Sequence, residues 1–396
     1  MVASPTAKSA SPFYFSVKVP DGNYLVTVVL GSKKKAGETT VRAENRRMMV
    51  EKCVTKKGQF TSYSFLVNKR STDIPAYKDA NGKDIAADRV RIKPREKESM
   101  SWDEKLTLEF NGANPCVKTI TITPDTTATT VFLCGNSTVV DQDKEPWASW
   151  GQMFTRWFVP SPAKYQPTPN THHPTPQICI ANFAESGLTA TNFMAQNRLK
   201  KIESMIRPGD YVICEFGHND EKEKGPGTGA YYHYSVALKK FIDIARAKKA
   251  NIIFCTPTQR RFFEKDGTIR NTHGDFPAAM KAVAQREDVP LIDLNAETKT
   301  LFEAMGPEGS KHLLVHYPMG TFPWQDKEFA DNTHFNPFGA YEVSKLVVMG
   351  LKQLNSPLAD FITPEWQDYS PQQPDDWQTF YWPQAPLYDG TKPDGN

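Results

Sequence analysis

Gly135-Asn136-Ser137 follows the apolar run Val131-Phe132-Leu133-Cys134, so a hydroxyl is presented where a buried strand ends in a tight turn. A serine in that place either caps a helix or acts as a nucleophile. The second role needs a base to take its proton and a carboxylate to orient the base. Asp331 and His334, three residues apart in "DNTH", supply both types. One imidazole nitrogen can be held by Asp331 on a local turn, leaving the other to face Ser137. The order Ser, Asp, His is one of several that build this geometry. Acyl transfer also needs donors for the oxyanion. The candidates are the backbone N–H of Ser137, that of Gly187 in "AESG", and the side-chain amide of Asn219 in "FGHND". Each has an ordinary structural alternative: a plain turn glycine, a turn-stabilising asparagine, a surface histidine before a helix.

What must position these residues changes character along the chain. Up to about residue 125 the pattern is short β-branched or aromatic segments separated by Gly, Asp, Asn, Lys and Pro. They run from "FYFSVKVP" through "NYLVTVVLG", "MMVEKCVT", "TSYSFLVNK" and "VRIKP" to "KLTLEFNG" and "VKTITITP". In "KLTLEF", Leu106, Leu108 and Phe110 alternate with polar residues, as one buried face requires. Seven or eight such strands predict an antiparallel β-sandwich over residues 1–126. "PDTTATT", residues 124–130, reads as the linker.

From residue 127 to about 360 apolar strands alternate with helical stretches. "VFLC", "QICIANF", "DYVICEFG", "NIIFCTP" and "VPLIDL" are near-continuous, as strands covered on both faces must be. Between them "YYHYSVALKKFIDIARAKKA" sets Val236, Phe241, Ile244 and Ala245 roughly on one helical face. The fold class is α/β: a flavodoxin-like, doubly wound, parallel five-stranded sheet preceded by the sandwich. In such sheets the ligand site lies at the carboxyl ends of the strands. Ser137, Gly187, His218-Asn219-Asp220 and "TPTQRR" all follow strands directly, and their convergence on one edge carries more weight than any single motif. Residues 361–396, rich in Trp, Tyr and Pro, read as an extension packed back on the body. Trp366, Trp377 and Trp382 anchor it or stack on sugar rings.

The blocks "GNS", "ESG", "GHN" and "DNTH", in this order over residues 135–334, resemble the SGNH (GDSL) hydrolase superfamily. The fuller strings "GNSTV", "FGHND" and "DNTHFNPFGA" look more narrowly like the rhamnogalacturonan acetylesterase family of carbohydrate esterases. The β-rich N-terminal part is similar to the sandwich domain that bacterial members carry. The resemblance implies Ser137, Asp331 and His334 as a triad, an oxyanion hole of Ser137, Gly187 and Asn219, and removal of O-acetyl groups from a pectic polysaccharide without metal or cofactor. One position departs from the pattern, since Asn136 stands where the superfamily has Asp. An asparagine keeps an acceptor oxygen to fix the turn while removing a negative charge beside the nucleophile.

Composition bounds the rest. The net charge of +3 divides into about +8 for residues 1–126 and about −5 for the remainder, so the first part suits an acidic partner or has a solvated lysine-rich surface. No apolar run is long enough to span a bilayer, and nothing suggests nucleic acid. A polysaccharide substrate predicts a secreted or periplasmic protein, although "MVASPTAKSASP" lacks the charged-then-apolar pattern of a signal peptide. Cys134, Cys179, Cys214 and Cys255 sit in apolar strands and are expected as buried, unpaired thiols. Arg260 and Arg261 after the fourth strand could bind a uronate carboxylate or form salt bridges, with His273 nearby. Trp147 and Trp150 either floor the groove or pack the first helix. His172-His173 and His312/His316 lack the accompanying ligands of a metal site. "GPGTG" at 225–229 lacks the context of a phosphate loop, and the absence of GxSxG argues against an ordinary α/β-hydrolase lipase. Two other functions use the same features: deacetylation of xylan or another glycan, and non-catalytic carbohydrate binding.

Overall fold

The computed structural model describes residues 2–3, 11–79, 81–164, 177–388, 390 and 392–394. His172 and His173 lie outside them. The N-terminal part folds as two antiparallel sheets from seven main strands: β1 (Phe13–Lys18), β2 (Gly22–Gly31), β3 (Gly37–Ala43), β4 (Arg47–Thr55), β5 (Phe60–Lys69), β6 (Lys105–Asn114) and β7 (Val117–Asp125). One sheet runs β7-β2-β5, the other β1-β6-β3-β4. Between them Val26, Val28, Leu30, Val41, Phe65, Val67, Leu106, Leu108 and Phe110 form the core, as the period-2 alternation requires. Two expectations need correction. "VRIKP" forms no strand beyond residue 89, and Pro94–Glu98 is a 3-10 turn. The linker shrinks to residues 126–128, because β7 extends to Asp125 and the next strand opens at Thr129.

The second part is built on β8 (Thr129–Gly135), β9 (Ile178–Asn182), β10 (Tyr211–Glu215), β11 (Asn251–Cys255) and β12 (Leu291–Ile292), all parallel, in the order β9-β8-β10-β11-β12. This is the flavodoxin-type order, with its switch point at β8. Successive residues of β8 enter opposite cores. Val131 and Leu133 face one layer with α1 (Trp150–Phe154), while Phe132 and Cys134 face the other with α2 (Ala190–Ala195), α3 (Arg198–Met205), α4 (Ser235–Ala247) and α5 (Phe276–Arg286). Burial on both faces is why these strands are apolar throughout. The first layer also contains α6 (Leu294–Gly309) and α7 (Pro337–Gln353).

On α4, Phe241 and Ala245 are buried and Ile244 is half-buried, but Val236 is exposed; Ala237, Leu238 and Ile242 complete the buried face. The expected helical stripe is therefore shifted at its start. All six cysteines are unpaired and buried. No helix among the described residues is long and apolar enough to cross a membrane.

The two parts are joined by buried polar contacts. Arg47 Nε donates to Asp141 Oδ2 at 2.6 Å, Arg198 Nη2 to both oxygens of Glu96 at 2.6 and 2.8 Å, and Arg70 Nη2 to the carbonyl of Asn182. Aromatic residues from the end of the chain cover the outer face of β3 and β6. Trp382 stacks over Arg42, with the guanidinium carbon 3.8 Å from the ring centroid, and Arg42 in turn pairs with Glu109 at 2.8 Å. Trp366 meets Trp157 edge-on. That cover explains why Glu109, a polar member of the "KLTLEF" alternation, is buried; Thr107, the other, is buried against Ser16 and Glu44.

Candidate active site

Ser137 lies just beyond β8, in a turn where Val139 N and Val140 N both donate to Asn136 O at 3.0 Å. No helix follows until Trp150, so Ser137 is not an N-cap. Its carbonyl accepts from Gln142 Nε2 and Ser149 Oγ, each at 3.1 Å, which fixes the backbone beneath the hydroxyl. Asn136 Oδ1 accepts from Thr138 N (3.1 Å) and lies 2.9 Å from Thr138 Oγ1, while its buried Nδ2 has no partner. The oxygen that fixes the turn is thus kept when asparagine replaces aspartate.

Asp331 and His334 stand on a bulge rather than a simple turn. Strands β13 (Leu314–Tyr317) and β14 (Phe329–Phe335) pair antiparallel, but between Leu314↔Phe335 and His316↔Ala330 the register slips. Residues 331–334 bow out opposite Val315, which re-aims their side chains away from the ladder. Asp331 Oδ1 closes the bulge by accepting from Thr333 N (2.8 Å) and His334 N (3.0 Å). Its Oδ2 accepts from His334 Nδ1 at 2.8 Å, and His334 Nε2 lies 2.9 Å from Ser137 Oγ. With Nδ1 donating to the carboxylate, Nε2 is the acceptor for the serine proton. Burial would raise the Asp331 carboxyl, but the bonds from His334 and the backbone hold it well below the usual carboxylate range. It therefore stays ionised and anchors the imidazole. Asn336 ends the strand and caps α7, its Oδ1 accepting from Gly339 N at 3.0 Å. Gly339 is required there, because a Cβ would fall 1.8 Å from Leu313 O.

The oxyanion candidates border the same turn. Glu185 N donates to Gly135 O at 3.2 Å, tying "AESG" to the end of β8. Gly187 adopts φ +73°, a conformation that favours glycine. Asn219 Nδ2 donates to Leu188 O at 3.1 Å, so one amide N–H is fixed beside Gly187 and the other is what a ligand oxygen can take. Asp220 locks this corner by accepting from Gly217 N (2.9 Å) and Ala190 N (2.8 Å).

The substrate-binding candidates fare differently. Trp150 is 0% exposed, and its indole N–H donates to Glu215 Oε2, so it is a packing residue and touches no substrate. His273 is also spent: Nδ1 lies 2.7 Å from Glu221 Oε2 and Nε2 is 2.9 Å from Thr258 O. Arg260 pairs with Glu221 at 2.5 Å and donates to His218 O, and Arg261 bonds Ser310, Asn332 and the carbonyl of Pro307. These arginines therefore fix loops instead of offering a free fork to a carboxylate. His316 Nε2 lies 2.9 Å from Asn332 Oδ1, and His312 stacks on Trp377. Among the described residues no group of three or more His, Cys, Asp or Glu side chains could hold a metal ion.

Two features escaped the sequence reading. Glu215 ends β10 beneath the nucleophile turn, accepting from Thr138 Oγ1 (2.8 Å), Thr258 N (3.2 Å) and Trp150. Burial pushes its carboxyl up to about 7, and these donors pull the other way. A charge inside "YVICEFG" was the available signal. The other is a pair of cavities meeting at Trp147 and Lys392, one of about 810 Å³ beside Asp331 and one of about 490 Å³ walled by Lys93 and Arg95. Those two residues come from the N-terminal part, and no local pattern marks them.

Residues 134–340 match the model of the GDSL-like Lipase/Acylhydrolase family. The chain is 41% identical over 234 residues to rhamnogalacturonan acetylesterase RhgT of Bacillus subtilis (strain 168), covering 59% of this chain and 93% of that one. It is 32% identical to the probable rhamnogalacturonan acetylesterase YesY of the same organism, over 59% of this chain and 98% of the relative. A rhamnogalacturonan acetylesterase of Emericella nidulans is 24% identical, over 62% and 93% respectively.

Proposed function

The chain belongs to the GDSL-like lipase/acylhydrolase family, and from that premise we propose that it is a serine esterase removing O-acetyl groups from a pectic polysaccharide of the rhamnogalacturonan type. The observation that carries the reaction type is the relay from Asp331 Oδ2 through His334 to Ser137 Oγ, with contacts of 2.8 and 2.9 Å. The substrate class is supported by the relatives named rhamnogalacturonan acetylesterases.

In the proposed reaction, Ser137 Oγ attacks the acetyl carbonyl while His334 Nε2 takes its proton. The negative charge that develops on the carbonyl oxygen is met by the N–H groups of Ser137, Gly187 and Asn219. As the tetrahedral intermediate collapses, the imidazolium returns the proton to the departing sugar oxygen, leaving acetyl on Ser137. Water then attacks with the same histidine as base, acetate leaves, and Ser137 regains its proton. Asp331, held ionised, favours the imidazolium in both halves. An enzyme acting on such a polymer works outside the cytosol, so a secreted or periplasmic location follows from the substrate.

Acetate release from acetylated rhamnogalacturonan, homogalacturonan and xylan tests the proposal. Rhamnogalacturonan should be hydrolysed with the highest kcat/KM. A preference for xylan would move the assignment to another glycan.

A further inference from the structure

Lys93 approaches the catalytic turn from outside the hydrolase part. Its Nζ donates to Ser186 O at 2.6 Å and to Asp394 Oδ2 at 2.9 Å. A Cβ on Gly187 would lie 3.0 Å from Lys93 Nζ and 2.9 Å from Asp394 Cβ, so this ion pair rests directly on the glycine of the candidate oxyanion hole. Two residues earlier, Lys392 Nζ stands 3.6 Å from Asp331 Oδ2. Lys392 and Asp394 therefore both lie at the site, and the Asp394 side chain sets its carboxylate on Lys93.

Several features mark Lys93 as a built receptor rather than a chance surface charge. Its backbone N–H donates to Glu96 Oε2 at 2.8 Å, and Glu96 is clamped by buried Arg198. Arg91 N donates to Gln196 O at 2.9 Å. The stem of the lysine is thus fixed to the hydrolase part before any ligand binds, which lowers the ordering cost of binding. Neighbouring Arg95 is already committed to Glu185 at 2.5 Å. Lys93 by contrast holds a carboxylate that is itself more than half exposed, and its own side chain is 22% exposed at the cavity of about 490 Å³.

We propose that Lys93 is a carboxylate subsite, contributed by the N-terminal part, that takes a uronate carboxylate of the substrate backbone, and that Asp394 occupies it until substrate arrives. The assignment rests on the esterase reading above and adds how an acidic backbone is told from a neutral one. A uronate would exchange one carboxylate for another on the same ammonium, with no change in local charge.

The test compares wild type, Lys93→Met and Asp394→Asn on acetylated rhamnogalacturonan, acetylated xylan and 4-nitrophenyl acetate. Lys93→Met should raise KM on the acidic polymer about tenfold, as expected for loss of a partly desolvated charge contact. Loss of the bond to Ser186 O beside Gly187 acts on every substrate alike, so the rise in KM on the acidic polymer should exceed any change on 4-nitrophenyl acetate by about that factor. Asp394→Asn should lower KM on the acidic polymer severalfold, and both effects should fade as salt rises. Binding of unacetylated oligogalacturonate to Ser137→Ala protein, measured by calorimetry with and without Lys93→Met, reads the subsite apart from any hydrolysis. An unchanged KM for Lys93→Met on the acidic polymer, or equal losses on 4-nitrophenyl acetate, overturns the subsite. An unchanged KM for Asp394→Asn overturns the role of Asp394. If wild type releases acetate only from xylan, the esterase reading fails on substrate, and oligogalacturonate binding alone then decides the subsite.

Discussion

Ser137 is 3% exposed and His334 1%, so the reacting groups are shielded by protein, where fixed hydrogen bonds count for more than in bulk water. In such a setting the orienting carboxylate matters greatly. Asp331→Asn should lower kcat about 10³–10⁴-fold with little change in KM, measured by acetate release, because the amide no longer enforces the productive tautomer. Asn219→Ala should cost about 10²–10³-fold in kcat, the usual loss for one oxyanion donor. Asn136 raises a subtler point. Thr138 Oγ1 touches both Asn136 Oδ1 and Glu215 Oε1, so Asn136→Asp places a second carboxylate beside a buried one. The Glu215 carboxyl is pushed up to about 7, hence it is largely neutral at pH 5.5 and largely charged at pH 8. The Tm of Asn136→Asp should therefore fall further below wild type at pH 8 than at pH 5.5, while kcat changes only modestly. An equal difference at both pH values would show that the two side chains are not coupled.

At the scale of elements, the site depends on how strands end. Glu215 accepts three hydrogen bonds at the tip of β10, from the nucleophile turn, from the residues after β11 and from α1. Glu215→Leu strands the donors of Trp150 and Thr258, while Thr138 Oγ1 keeps Asn136 Oδ1, and should destabilise the fold by about 3–5 kcal/mol in urea titrations. The parallel sheet and its strand order were legible because doubly buried strands leave long apolar runs, and the polar residues after each run mark the carboxyl edge. Less could be read where geometry departs from periodicity. The bulge carrying Asp331 and His334 is a register slip, which residue spacing does not encode. Arg260, Arg261 and His273 were placed on the correct edge, yet sequence cannot say that Glu221, Ser310 and Thr258 already occupy them. Trp150 likewise follows the nucleophile turn in sequence but is turned inward by Glu215.

Across the whole molecule, the N-terminal sheets are fastened to the hydrolase part by buried Arg47–Asp141 and Arg198–Glu96 pairs and by the Trp382–Arg42 stack. Met48 lies in one core of the hydrolase part, and Ile74, Val90 and Trp102 lie in the other, so the parts cannot separate without exposing apolar core. Calorimetry should accordingly give one unfolding transition for the full chain, whereas two separate transitions would show that the parts fold independently. The uneven charge of the two parts was visible in composition, but the placement of Lys93 against Gly187 required the chain to be folded. Whether Ser137 is the nucleophile of an O-acetylesterase is decided by acetate release from acetylated rhamnogalacturonan, comparing wild type with Ser137→Ala at equal folded concentration. Wild type should release acetate rapidly and the variant should lose about 10⁶-fold in kcat; equal release by the two proteins would show that Ser137 is not the nucleophile.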